Sequence, residues 1–184
     1  RSTLFPYTTL FRSRDRVVAG YCWDWVSKQD KNAYDICFPE FSFRKKWNFR
    51  DGEPWLIGSE SIEQIGCIHT CQGLEMDYVG VIIGPDMAFR DGHIVTDGFK
   101  RSGTDKSIAG FKQLFKQNPD KARQEADKII KNTYRTLMTR GMKGCYVYCC
   151  DTALAEHFRQ LLSTDDHEEV ATRIEPAVND DVKY

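Results

Sequence analysis

No Gly-x-x-x-x-Gly-Lys-Ser/Thr phosphate loop occurs anywhere in the 184-residue sequence. That absence excludes a chain that cradles a nucleotide's phosphates by this device on its own. Charge of one sign is also lacking. With 26 basic against 27 acidic residues the formal net charge is −1, so no global positive field marks a nucleic-acid binder, although a local groove can be basic on a neutral protein. The seven cysteines are odd in number and scattered. They offer no disulfide framework, which points to a reducing, cytoplasmic setting. Cys67-x-His69-x-Cys71 lacks the Cys-x-x-Cys spacing of a zinc site and has no second pair, so no metal is expected there. Internal repeats and low-complexity tracts are absent. A signal-peptide reading fits poorly, because the apolar start is broken by Pro6 and has no small-residue cleavage site. No membrane partner is expected.

What is present suits one globular domain with a real core: 41% hydrophobic and 29% charged residues, an ordinary balance for a folded protein. The start stands apart. Thr3-Leu-Phe-Pro-Tyr-Thr-Thr-Leu-Phe-Arg-Ser13 resembles an in-frame translation of a short-read sequencing adapter, so residues 1–13 are set aside as non-native. The natural protein is expected to continue upstream. From Ser163 the chain turns acidic and loses periodicity, which marks 163–184 as a frayed tail. The domain itself is placed at 14–162.

Within it, residues 16–22 read as a buried strand. Phe41-Ser-Phe-Arg-Lys-Lys-Trp-Asn-Phe49 alternates aromatic and polar residues, as in strands of a hairpin or an irregular excursion. Its Arg44-Lys45-Lys46 run can track a nucleic-acid backbone, but the pattern is favoured as a half-buried hairpin with a charged edge. Asp51-Gly-Glu-Pro54 is turn chemistry, and Ser59 or Ser61 can cap a short helix. Residues 65–69 and 79–83 are further strands, the second apolar as a central parallel strand should be. Asp91-Gly and Asp97-Gly bound a surface hairpin, and 100–106 is a polar, mobile-looking connection. Asn118-Pro119 opens the best helix, as N-cap and first helical residue. Its apolar face is Ala122, Ala126, Ile129, Ile130, Thr133, Tyr134 and Leu137, and Gly141 and Gly144 end it. A strand at 145–150 and an amphipathic helix at 152–162 follow. Strands alternating with helices predict an α/β architecture with a mostly parallel sheet.

Two segments carry chemistry. Cys67-Ile-His-Thr-Cys-Gln-Gly-Leu-Glu75 is a polar loop that runs into the apolar strand ending at Gly84. Its Gly73 permits close backbone approach to a phosphate or base; the structural alternative is a strand-to-helix turn with a core histidine. Tyr134-Arg-Thr-Leu-Met-Thr-Arg-Gly141 is a helix ending on Arg140. Arginine suits the stabilisation of charge on a transferring phosphoryl group because it is always charged and presents a planar fork of donors. Its structural alternative is a cation at a helix C-terminus. Val79 to Asp86 imitates the strand-and-acid pattern of a magnesium site, but Gly84-Pro85 intervenes and no phosphate loop precedes it.

Together and in this order, the two segments resemble motifs V and VI of superfamily 1 DNA/RNA helicases. Residues 68–85 and 132–151 are similar to the family that includes the helicase domains of large Schlafen-type proteins and uncharacterised bacterial relatives. Cys71-Gln72 departs from the Ala-Lys or Ser-Gln of many relatives. The resemblance implies a second RecA-like, P-loop-NTPase-type domain, flanked by helices, that closes over ATP and Mg2+ bound mainly by a separate N-terminal RecA-like domain. It assigns Gly73, Glu75 and Arg140 to ATP, with Arg140 as the catalytic arginine finger, and His69, Thr70 and Gln72 to single-stranded DNA or RNA. The activity implied is that of an ATP-dependent helicase or translocase. A non-catalytic nucleic-acid-binding or regulatory module derived from one is the alternative, and a nucleotide switch without unwinding is a third reading.

Overall fold

The computed structural model describes residues 15–47, 55 and 59–164. A six-stranded sheet organises them, in the order β2-β3-β4-β1-β5-β8. Its middle is β1 (Arg16–Ala19), parallel to β4 (Gln64–Gly66) on one side and to β5 (Met76–Ile83) on the other. Strands β3 (Phe43–Trp47) and β8 (Gly141–Cys149) extend the parallel set outward, and β2 (Ile36–Phe38) pairs antiparallel to β3. The predicted mostly parallel α/β sheet is thus observed, and the aromatic-basic stretch forms a hairpin with β2. The turn expected at 51–54, the segment 1–13 and the tail from 165 lie outside the described residues.

β5 is apolar from Tyr78 to Ile83, where both its faces are covered. Val79, Val81 and Ile83 enter one core with Ala122, Ala126, Ile130, Tyr134 and Leu137. These come from α2 (Pro119–Met138), whose start is as expected: Asn118 Oδ1 accepts from the Lys121 N–H at 3.0 Å and Pro119 is the first helical residue. The same face holds α1 (Phe111–Gln117), which the sequence reading missed, and α3 (Thr152–Thr164), which runs slightly past its expected end. Three helices therefore flank one face. On the other face Ile82, Ala19 and Ile65 meet Tyr21, Phe38 and Trp47, and Arg44 and Lys46 lie over the Tyr34 ring at 5.5 and 5.4 Å. Among the described residues no helix is long and apolar enough to cross a membrane.

Several local expectations need correction. β4 ends at Gly66, and residues 67–71 turn instead of continuing as strand. In the surface hairpin, β6 (Met87–Arg90) and β7 (His93–Thr96) are joined by Asp91-Gly92, both at positive φ of 50° and 78°. The first Asp-Gly pair is therefore the turn and not a boundary, since a two-residue hairpin turn of this kind requires positive φ at both central residues. Gly141 and Gly144 do not end α2 but sit in β8, around a register shift opposite Met76 and Tyr78. A Cβ on Gly141 would collide with the Gly144 carbonyl oxygen, so the glycine serves the bulge.

The largest correction concerns 100–106. Arg101, Ser102 and Asp105 in this stretch are buried. Arg101 pairs with Asp86 at 3.0 Å and with Asp105 at 2.5 Å, and it donates to Ser107 Oγ at 3.3 Å. Asp86 also accepts from the Tyr134 hydroxyl, which in turn accepts from the Gly84 N–H at 2.8 Å. The Asp86 carboxylate is thus consumed inside the protein. Burial works against the Arg101 charge, but Asp105 and Asp86 outweigh it and hold the guanidinium above its ordinary pKa. A buried charge is tolerated only with such pairing. Arg101→Met leaves two buried carboxylates without their cation and is expected to cost about 3–5 kcal/mol in urea unfolding. Lys121→Ala, which breaks an exposed pair with Glu125, is expected to stay within about 0.5 kcal/mol. Equal effects of the two would contradict this account.

Candidate functional site

The loop between β4 and β5 is pinned from within. The Thr70 and Cys71 N–H groups donate to the Cys67 carbonyl at 3.0 and 3.1 Å, and the Leu74 N–H donates to Cys71 at 3.1 Å. Cys71 is buried, and Ile68 and Leu74 pack against the helical core. With its apolar residues turned inward, the loop presents His69, Gln72, Gly73 and Glu75 to solvent. Thr70 is half-buried, and its hydroxyl lies 3.4 Å from the Cys67 N–H and thiol. Gly73 adopts φ +75° and nothing lies within 4 Å of where a Cβ would sit. Its backbone conformation, not crowding, calls for glycine.

Arg140 follows the last turn of α2. The Thr139 and Arg140 N–H groups bond back to Arg135 and Leu137 at 3.1 and 3.2 Å, and the Arg140 Nε donates to the Thr136 carbonyl at 3.2 Å. The terminal nitrogens of the guanidinium have no partner among the described residues. The Arg140 carbonyl accepts from the Met76 N–H at 2.9 Å. That bond joins the polar loop to the end of the helix, because Met76 follows Glu75 directly. Its consequence appears in the loop: burial pushes the Cys71 thiol up to about 12, helped by neighbouring Cys67, while the nearby Arg140 charge pulls it down.

Gly73, Glu75 and Arg140 are therefore gathered at the N-terminal ends of β5 and β8, with His69, Thr70 and Gln72 on the same loop. An adjoining ion pair was not anticipated, Lys143 with Asp77 at 2.8 Å across the two strands. Only their opposite signs near the two motifs hinted at it. Arg16 takes no part. It is buried, donates to Ser61 Oγ at 2.9 Å and lies over the Trp55 ring. Among the described residues, no group of three or more His, Cys, Asp or Glu is placed to hold a metal ion.

The family described as Schlafen group 3, DNA/RNA helicase domain matches residues 10–151, most of the chain and both segments. The chain belongs to this Schlafen helicase-domain family. The helicase-type domain is also 33% identical over 128 residues to the uncharacterized protein YPL245W of Saccharomyces cerevisiae, covering 68% of the chain and 27% of that protein's length. It thus spans about a quarter of the curated relative it matches. No solved structure matches it.

The anchoring of the helicase-type domain's loop by Cys71 is open to a chemical test. A protonated, buried thiol is a poor nucleophile. Iodoacetamide at pH 8 is expected to alkylate exposed Cys37 and leave Cys71 unmodified in the folded chain, as read by peptide mass spectrometry. Labelling of both at similar rates would show that the loop is not held as described.

Proposed function

We propose that this helicase-type domain is the second, RecA-like motor domain of a superfamily 1 DNA or RNA helicase or translocase. In this reading Arg140 reaches the γ-phosphate of ATP held, with Mg2+, mainly by a separate phosphate-loop domain of the same protein. The observation that carries the reading is the Met76–Arg140 backbone bond, which brings the backbone at Arg140 next to the residue that follows Glu75, at one end of the sheet. The residues present suit an anionic nucleotide: a guanidinium with terminal donors to spare, a solvent-facing carboxylate for a ribose hydroxyl, and an open glycine turn.

Bound ATP supplies the phosphoanhydride whose cleavage drives movement. The chain's part is electrostatic. As charge spreads over the transferred phosphoryl oxygens, the preorganised fork of Arg140 stabilises it. The carbonyl of Thr136 restrains the Nε and leaves the terminal nitrogens to meet the nucleotide. Glu75 orients the nucleotide, and Gly73 lets the backbone approach it. On the same loop, His69, Thr70 and Gln72 face single-stranded DNA or RNA, so that domain closure over nucleotide shifts the strand. The seven free cysteines accord with the cytoplasmic setting proposed here.

Arg140→Ala, made in the longer protein that carries the phosphate-loop domain, is expected to lower strand-stimulated ATP hydrolysis about 10³-fold or more, with strand binding retained. Unchanged hydrolysis would contradict the arginine-finger role. A parent protein that binds strands yet never hydrolyses ATP would favour the non-catalytic module instead.

A further inference from the structure

Far from Arg140, at the opposite end of α2, the chain exposes an aromatic cluster inside a basic segment. The rings of Phe99, Phe111 and Phe115 meet edge-on or tilted, with centroids 4.9 to 5.9 Å apart. Phe111 is buried, but Phe99 is 50% exposed. The Arg123 guanidinium lies 5.0 Å from the Phe115 ring centroid. Beside them an open cavity of about 350 Å³ is lined by Phe99, Phe115, Arg123, Thr96 and Asp97. An exposed phenylalanine on a loose loop would be unremarkable, but Phe99 is held. Its N–H donates to Asp97 Oδ1 at 2.8 Å, and Arg101, two residues on, is locked in the buried ion-pair network.

The charge around this platform is net positive, with Asp127 held between Thr96 and Lys131 at 2.9 Å from each. Lys100, Lys106, Lys112, Lys116, Lys121 and Arg123 are all exposed. Of the acids in the same stretch, Asp105 is buried against Arg101, and Asp120 pairs with Arg123 at 3.6 Å. Glu125 lies 4.0 Å from Lys121, and Asp97 is half-buried under the Phe99 N–H. Lys100, Lys106, Lys112 and Lys116 have no ion-pair partner among the described residues. Lys112 and Lys116 lie one turn apart on α1. On a chain of net charge −1 this is a local positive field next to the half-exposed Phe99 ring, the combination that holds an unpaired strand: phosphates on the cations and a base on the ring. A duplex keeps its base faces stacked inside and cannot use the ring.

We propose that the face made by Phe99, Phe115 and Arg123 with Lys100, Lys112 and Lys116 is a second contact for single-stranded nucleic acid. It is separate from the His69–Gln72 loop, since α2 alone, at 20 residues, places about 30 Å between its ends. This contact rests on charge and aromatic geometry and is independent of Arg140 acting on ATP.

Fluorescence anisotropy of the 184-residue chain with labelled 20-nucleotide dT and rU strands, and with a duplex of equal length, tests it. Phe99→Ala is expected to weaken single-strand binding about 5- to 100-fold, the loss of one stacked base. The triple variant Lys100→Glu/Lys112→Glu/Lys116→Glu is expected to flatten the salt dependence by about 2 in log–log slope. Both sites of change are exposed, so thermal midpoints should stay near wild type. Wild-type-like binding by both variants would overturn the proposal and leave the face to a protein partner, as would failure of the chain to bind single strands. If Arg140→Ala keeps full hydrolysis in the longer protein while Phe99→Ala loses strand binding, this contact stands and the arginine-finger reading falls.

Discussion

The pairing of β5 with β8 is the constraint on which the candidate site depends. The two strands run parallel and in register from Val79 to Ile83 opposite Cys145 to Cys149, in a core from which water is excluded on the helical side. At their N-terminal ends the ladder closes with the Met76 N–H on the Arg140 carbonyl. A net backbone hydrogen bond contributes only about 1 kcal/mol, so this bond alone does not hold the site. It reports a placement enforced by the whole strand pair and by the bulge that Gly141 makes possible. Without that bulge, the register set by the buried residues would carry Arg140 past Glu75.

A second constraint works from the other end of the sheet. Tyr134 lies on the last turns of α2, and its hydroxyl is engaged by Gly84 and Asp86 just beyond β5. Burial drives the Tyr134 pKa well above its usual value, so the hydroxyl stays protonated and able to donate. Asp86 is shared with Arg101, and Arg101 with Asp105. A buried network of this kind favours one geometry over its neighbours because any displacement strands a charge. Helix α2 is thereby tied to the C-terminal end of β5 through Tyr134, and to its N-terminal end through the turn at Arg140.

Features that are local in sequence were legible there. Asn118-Pro119 specified the start of α2 because capping involves only the next three residues, and the apolar face of that helix was legible, apart from half-exposed Ile129, because its period repeats over several turns. The polar loop and the helix ending in Thr139-Arg140 were visible as strings, and they supplied the family resemblance. What the strings did not carry was depth. Arg101 looked like any charge in a polar connection, since its burial depends on Asp86, fifteen positions earlier and reached only through the β6–β7 hairpin. Gly141 and Gly144 looked like helix terminators because a bulge is defined by the partner strand, not by its own residues. Short α1 and β2 were missed because a few residues give too little period to read.

The central claim is that Glu75 and Arg140 belong to one nucleotide site completed by a domain outside this chain. A crystal structure of the longer protein with ADP, Mg2+ and a fluoride mimic of the transferred phosphoryl group tests it most directly. The account expects Arg140 nitrogens at about 2.7–3.2 Å from the mimic, with Glu75 at the ribose. An Arg140 side chain turned away from a closed, fully occupied site would contradict it.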